Sequence, residues 1–315
     1  MLTFAVRRLL VLLTTLLAAS AIVFTVLEIL PGDAALLILG TEAQDDTLAA
    51  LRAELGLDRP ALERYLDWVG SMASGRTGTS HTYAVPVAEL IGERLAVTVP
   101  LAFAAFALST LIGLPLGMIA ATRRNRPGDY GVMAFSQLGM AVPNFWFAIL
   151  LILVFAVGLG WFPAAGFPGW AEDPLGSVRA LLLPAVALAL PEAAILARVA
   201  RSAVLETLGA DFVRTARAKG VRDGAILTGH VLRNALIPMT TILGLQFAFL
   251  LAGSIVIENV FALPGLGRLV YQAVTQRDIV VVRDVVLLLV AMVVLVNFLV
   301  DLAYAAIDPR PRVAG

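Results

Sequence analysis

The chain has 315 residues, 60% of them hydrophobic and 15% charged, with a mean hydropathy of +0.90. Soluble domains carry roughly 25% charged residues, so this composition excludes an ordinary soluble fold and marks an integral membrane protein. The 23 basic and 23 acidic residues cancel, there is no cysteine, and only His81 and His230 supply imidazole; nothing here implies a nucleic-acid partner, a disulfide scaffold, thiol chemistry or a histidine metal centre.

After Arg7 and Arg8, Leu9 to Leu27 is a 19-residue uncharged run, long enough to cross a hydrocarbon core of about 30 Å at about 1.5 Å per residue. Ala18 to Ala21 faintly resembles a signal-peptide cleavage site, but the apolar run continues past it, which favours a retained anchor. The first segment, 1–30, is therefore expected to hold an N-terminal cytoplasmic tip and span 1, with Pro31-Gly32 ending the helix. Residues 31–94 turn polar and acidic and form an extracytoplasmic region with two short helices. In the clearer one, Asp58 is an expected N-cap, Pro60 lies in the first turn, and Leu62, Tyr65, Leu66, Val69 and Met72 recur at helical spacing. Such a helix would lie on the membrane face or pack on neighbouring loops.

The core, 95–307, begins with span 2 at about 95–122, which contains Pro100 and Pro115. Arg123 to Gly128 then makes a tight cytoplasmic turn. Span 3, about 132–158, leads into an aromatic, Gly- and Pro-rich stretch to Trp170 that fits an interfacial belt at the outer surface. Span 4, about 178–199, is interrupted by Pro184, Pro191 and Glu192. A loop over 200–234 is followed by span 5 at about 235–257, span 6 at about 285–307 and a short tail, 308–315. If six spans alternate, 14 basic residues face one side and nine the other, while 16 acids fall on the side with fewer basic residues and five on the side with more. Basic residues hold short loops in the cytoplasm, so both termini are expected inside.

The polar segment 211–238 is the longest on the basic side, and too charged to serve merely as a connection. Asp211 can cap a helix starting at Phe212, and Gly220 stands where a left-handed residue would end it. Phe212, Val213 and Ala216 form an apolar ridge, with Arg214, Arg217 and Lys219 around it and Thr215 and Ala218 completing the turns. Two accounts fit these residue types: an ordinary loop whose arginines set orientation, or a rigid helix that enters a protein groove. Lys219, the sole lysine, is not preceded by the glycine-rich loop that cradles a triphosphate, so any ATP driving the chain binds elsewhere.

Arg214-Thr-Ala-Arg-Ala-Lys-Gly220, followed by His230-Val-Leu-Arg-Asn-Ala-Leu-Ile-Pro238, resembles the cytoplasmic coupling loop of ABC-importer permeases in the form used by the dipeptide and oligopeptide subfamily. Arg214-Thr215-Ala216 stands where the wider pattern has Glu-Ala-Ala, Gly220 matches, and Pro238 lies five residues beyond the usual proline. Leu30-Pro-Gly-Asp33, Leu55 to Pro60, Glu63-Arg-Tyr65, Glu93-Arg-Leu95, Val142-Pro-Asn-Phe-Trp146 and Val260 to Gly267 extend the resemblance over nearly the whole chain, to the first permease of such systems. Gly75-Arg-Thr-Gly78 and Ile279 to Val281 depart from it. The resemblance implies an all-α polytopic protein of six spans with the type I permease fold. It further implies a non-catalytic bacterial inner-membrane subunit that pairs with a homologous second permease and two ATPases, which carry the ATP and Mg. A peptide-binding protein or lipoprotein would deliver the solute, with Asp211 to Gly220 receiving the ATPase stroke. Nickel chelates, glutathione or another small solute are alternatives to peptides.

Glu192 and Asp301 are the acids inside spans, and ionisable residues there are functional candidates by default. Glu192 either lines a pathway and meets a peptide amino group, or is hydrated near Arg198 and the cytoplasmic face, or pairs with a partner helix; Asp301 sits near an inner helix end, four residues from Asn297 on one face. Pro184 and Pro191 are candidate hinges, Glu258 is expected to be wet, and His230 solvated. A proton-coupled carrier using Glu192 and Asp301 is the competing mechanism, and a scaffold that only anchors partners is a third.

Overall fold

A computed structural model of the chain describes residues 2–29, 35, 39, 40, 44–54 and 56–307. The expected turn at Pro31-Gly32, the motif 30–33, Leu55 and the tail 308–315 lie outside the described residues. Among those described there is no strand, only an isolated antiparallel bridge between Thr79 and Pro86. The helices are α1 (Leu2–Ile29), α2 (Asp45–Glu54), α3 (Ala61–Ala73), α4 (Val87–Thr122), α5 (Pro127–Ala141) and α6 (Asn144–Leu151), the last continuing as a π-helical stretch Ile152–Gly158. There follow α7 (Pro174–Leu208), α8 (Asp211–Ala218), α9 (Asp223–Ile226) with a π-helical stretch Leu227–Val231, α10 (Leu232–Val260), α11 (Leu266–Thr275) and α12 (Ile279–Ile307).

Five helices are long and apolar enough to cross a membrane, and α5 with α6 makes a sixth if the bent pair counts as one span. Several overrun the apolar runs: α4 starts at Val87, α7 extends to Leu208 and α12 starts at Ile279. Backbone hydrogen bonding does not stop where side chains turn polar, so Glu89, Glu93, Arg198 and Arg201 are carried on helices that project beyond the apolar band. Between α5 and α6 the chain turns by 103° at Val142 and Pro143, because proline disfavours helical backbone at the residue before it and lacks the N–H to continue the ladder. In contrast, α7 runs unbroken through Pro184 and Pro191, both buried.

Helix α7 is the axis of the bundle, with 72% of its most apolar window buried against 11% for α1. Its close partner is α4, and the contact is made by small residues. A Cβ on Gly113 would lie 2.8 Å from the Ala193 carbonyl, and one on Gly117 would lie 2.5 Å from the Ala197 carbonyl and the Ala200 Cβ. In lipid, helix association relies on such close backbone approach. Gly139 of α5 does the same against Ala194.

The polar insertion docks on the bundle rather than standing apart. Trp68 of α3 is buried, stacks on Phe24 of α1 and donates its indole N–H to Asp284 of α12 at 2.8 Å. The face that docks is Tyr65, Trp68 and Met72, while Leu62 and Leu66 stay exposed. Helix α3 is entered at Pro60 without a side-chain cap, which corrects the expectation that Asp58 caps it and that Pro60 lies in its first turn. Gly78 packs on Val280, so the two segments that depart from the peptide-permease pattern meet in space.

Candidate functional site

The basic end of the bundle is organised by the hand-over from α7 to α10. After Leu208 the chain turns at Gly209 and Ala210, and α8 begins at Asp211. Ala210 occupies the N-cap position and no side chain caps the helix; Asp211 lies one residue inside it, which corrects its expected role as the cap. Its carboxylate still favours the positive N-terminal end of the helix. At the other end Gly220 adopts φ +77°, its N–H reaching the Arg217 carbonyl (2.9 Å) and that of Val221 reaching Ala216 (3.2 Å). This pair of bonds is the Schellman arrangement, which satisfies the last carbonyls and needs a left-handed residue at that position.

Val213 is fully buried and places α8 in a cluster with Ala121 of α4, Ala200, Ala203 and Val204 of α7, Ile226 of α9, Val231, and Ala235 and Met239 of α10. Ala216 packs partly against the same cluster. Phe212 turns outward, 44% exposed, beside exposed Arg214, Thr215, Ala218 and Lys219. Arg217 bonds Asp223 at 2.9 Å, tying α8 to α9, and Arg214 lies 3.5 Å from Asp211. The expected apolar ridge is thus divided: Val213 and Ala216 look into the bundle, and Phe212 looks away from it inside a basic collar. Val213 and Ala216, with the Arg217–Asp223 bond, tie α8 to the cluster built from α4, α7 and α10.

Close by, Arg201 of α7 grips Asp129 of α5 with two bonds of 2.5 and 2.8 Å, and the Asn125 N–H adds a third at 2.9 Å. Asp129 is buried. Sequence reasoning missed this pair, although Asp129 is the only acid in the stretch that opens with Arg123, Arg124 and Arg126.

The four expected pathway residues lie on two helices, Pro191 and Glu192 on α7 and Asn297 and Asp301 on α12. Pro191 is buried within α7, and Glu192 beside it is half-buried with no hydrogen bond or ion pair among the described residues. Asn297 faces Gly244 of α10, where its Oδ1 would lie 3.1 Å from an added Cβ. One turn on, Asp301 pairs with Arg8 of α1 at 3.1 Å, both about a third or more exposed. His230 is exposed, as expected.

At the insertion end the expectation that Glu258 is wet is corrected: it is fully buried. Its carboxylate accepts from the Thr98 hydroxyl at 2.7 Å and from the Arg268 N–H at 3.1 Å, and Thr98 in turn accepts from the Leu266 N–H at 2.8 Å. An added Cβ on Gly265 would overlap this carboxyl group. The glycines therefore let the α10–α11 turn close over Glu258 and fasten it to α4. The adjacent signal was the pair of glycines in Pro264-Gly-Leu-Gly267. A cavity of about 600 Å³, lined by Trp161, Phe162, Phe167 and Arg179, opens in the aromatic loop before α7.

Comparison with known proteins places this architecture. Residues 113–313 match the family described as binding-protein-dependent transport system inner membrane component, and residues 1–102 match the N-terminal membrane component of such systems. A Brucella abortus (strain 2308) protein, whose name assigns it to a peptide transport system as a permease, is 44% identical over 94% of this chain and 95% of its own length. The glutathione transport system permease protein GsiC of Salmonella choleraesuis (strain SC-B67) is 40% identical over 99% of both chains. In fold, a chain of the MetNI methionine ABC transporter, solved in inward-facing conformations, superposes with a TM-score of 0.58 at 23% identity, covering 70% of this chain and 96% of that one. The chain belongs to the family of binding-protein-dependent transport system inner membrane components, the permeases of ABC importers, and has their type I fold.

Proposed function

We propose that this permease moves small peptides, with glutathione, itself a tripeptide, as the neighbouring possibility, and that α8 with Gly220 is the element on which the ATPases act. The observation that carries the second part is the division of α8: a buried valine in a cluster drawn in large part from three long helices, and one exposed phenylalanine in a basic collar. The 40–44% identity to peptide and glutathione permeases supports the first part.

In this scheme the basic end faces the cytoplasm and both termini lie there. A second, homologous permease completes the passage, and two ATPases holding ATP and Mg dock below Phe212. An extracytoplasmic peptide-binding protein or lipoprotein delivers solute at the end that carries α2 and α3. Nucleotide binding favours one of two packings of the ATPases, and α8 carries that bias to α4, α7 and α10. No step of ATP chemistry falls to this chain. The proton-carrier alternative has nothing comparable behind it, because Asp301 is engaged with Arg8.

The chain contains no cysteine, so Phe212→Cys gives it a single thiol. In the assembled importer, a short bifunctional thiol reagent is expected to link this position to an ATPase subunit, with a yield that changes when ATP is added. Proteoliposomes with the binding protein outside and ATP inside should accumulate labelled dipeptide. Absence of any ATPase in the cross-linked product, or accumulation without ATP, contradicts the assignment.

A further inference from the structure

Helix α7 is sealed on most of its circumference, but one stripe is not. Counting down toward the basic end, Glu192, Ile195 and Val199 are half-buried and Ser202 and Glu206 are exposed, spaced three or four residues apart and so on one face. Above Glu192 the same face closes: Leu188 and Ala185 are 1% exposed and Leu181 6%. The closure is made by α6 and α10, because Gly253 of α10 approaches Leu188 so nearly that an added Cβ would stand 3.1 Å from Leu188 Cδ2, with Asn144 of α6 beside it. Glu192 therefore stands at the upper limit of an open wall that begins at the basic end. Neither carboxylate on that wall, Glu192 or Glu206, has a side-chain hydrogen bond or ion pair among the described residues, but Glu206 is exposed and Glu192 is partly buried.

An ionisable group held partly out of water without a partner is costly and calls for one. Every other acid on α12 and α10 in a comparable position has found its own: Asp284 has Trp68 and Arg283, Glu258 has Thr98 and backbone N–H groups, and Asp301 has Arg8. We propose that Glu192 is a subsite for the cationic group of the transported solute, the ammonium of a peptide, at the closed end of a passage open to the basic side. This deepens the peptide-importer assignment and rests on it. Above Glu192 the same face of α7 is covered by α6 and α10 at Leu188, so the carboxylate marks the end of the uncovered face, and an ammonium held there leaves when the carboxylate is again hydrated.

The test uses the complete importer in proteoliposomes without nucleotide, with single cysteines in this cysteine-free chain. The probes are a trimethylammonium and a sulfonate thiosulfonate reagent applied at the ATPase side, with labelling of this chain read by mass spectrometry. Val199→Cys and Glu192→Cys are expected to react and Leu188→Cys to stay unmodified. At Val199→Cys the cationic reagent should react faster than the anionic one. Glu192→Gln in that background should lower the ratio about two- to fourfold, the effect of one unit charge two helical turns, about 10 Å, away in a watery site. An inert Glu192→Cys, equal rates for the two reagents at Val199→Cys, or a ratio unmoved by Glu192→Gln overturns the subsite. The equal-rates arm needs no change at Glu192 and so survives a misfolded variant. ATP-dependent uptake by the unmodified complex is scored separately: if it fails, the importer assignment fails, and if it holds while the labelling pattern does not, only the subsite falls.

Discussion

Gly220 is the residue whose chemistry is most narrowly defined by its place. Its φ of +77° is one that side chains with a Cβ rarely adopt, yet nothing lies within 4 Å of where that Cβ would be. The constraint is conformational and not steric. A left-handed conformation costs an ordinary residue about 1–2 kcal/mol, more for a β-branched one and less for asparagine. Gly220→Val is therefore expected to open the Schellman bonds and free the end of α8, lowering ATP-driven uptake by an order of magnitude or more while the protein still inserts. Gly220→Asn should retain most of it. Uptake measured beside the amount of assembled complex decides, and full transport by the valine variant would remove α8 from the mechanism. The sequence made this glycine legible because helix-ending glycines are set by local rules. Glu258 was not legible, because its burial depends on Thr98, 160 residues away, and on two glycines whose role is only to leave room.

Among elements, apolar runs located the long helices well and their ends poorly, since hydropathy reports the depth of the bilayer and not the length of a hydrogen-bonded ladder. The sharp turn after α5 fell inside a run that looked like one span; Val142-Pro143 was the available signal, outweighed by the apolar length on either side. The pairing of α5 with α7 through Asp129 and Arg201 was invisible for a different reason, a separation of 72 residues. This bond lies one turn from Val204, which packs in the same cluster as Val213. It makes the α4–α5 turn and the lower half of α7 one body at the level of α8. Removing one partner of a buried pair costs about 3–5 kcal/mol, and Arg201 is one fifth exposed, so the lower end applies to Asp129→Ala. Replacing both residues with alanine should cost less than the sum of the single changes. Thermal unfolding of the purified complex measures this. The amount of dipeptide moved per ATP hydrolysed should fall in the single variants, whereas a purely structural bond would reduce both activities together.

Across the whole molecule the two ends are fastened differently. Among the described residues of the basic end, small residues and Val213 bring the helices together, and the ion pairs between long helices are Asp129–Arg201 and the half-exposed Arg8–Asp301, which suits a region that repacks. At the insertion end the fastenings are dense: Ser80 and the Thr82 N–H on Asp278, Trp68 on Asp284, and Thr98 on Glu258. Helix α1, the least enclosed of the five spans, is held at both ends by α12 and by α3. These holds are unequal in strength. The Arg8–Asp301 pair is half-exposed, and such pairs contribute about 0–1 kcal/mol. Trp68 is buried against Phe24 and carries the Arg283 guanidinium 4.8 Å above its ring, while its N–H is one of two donors to the fully buried Asp284. Loss of a buried aromatic costs about 3–5 kcal/mol, to which the stranded carboxylate adds. Trp68→Ala should therefore release α3 and unfold the backbone around the arginines at 59, 64 and 76, so that trypsin added on the insertion side cleaves there at least tenfold faster than in the unmodified chain. Trp68→Phe keeps the packing but not the donor and should fall between. Arg8→Ala should leave the digestion pattern unchanged. Equal protection of all three variants would mean that the insertion is held by contacts other than the indole, and that α1 owes its position to α12 alone.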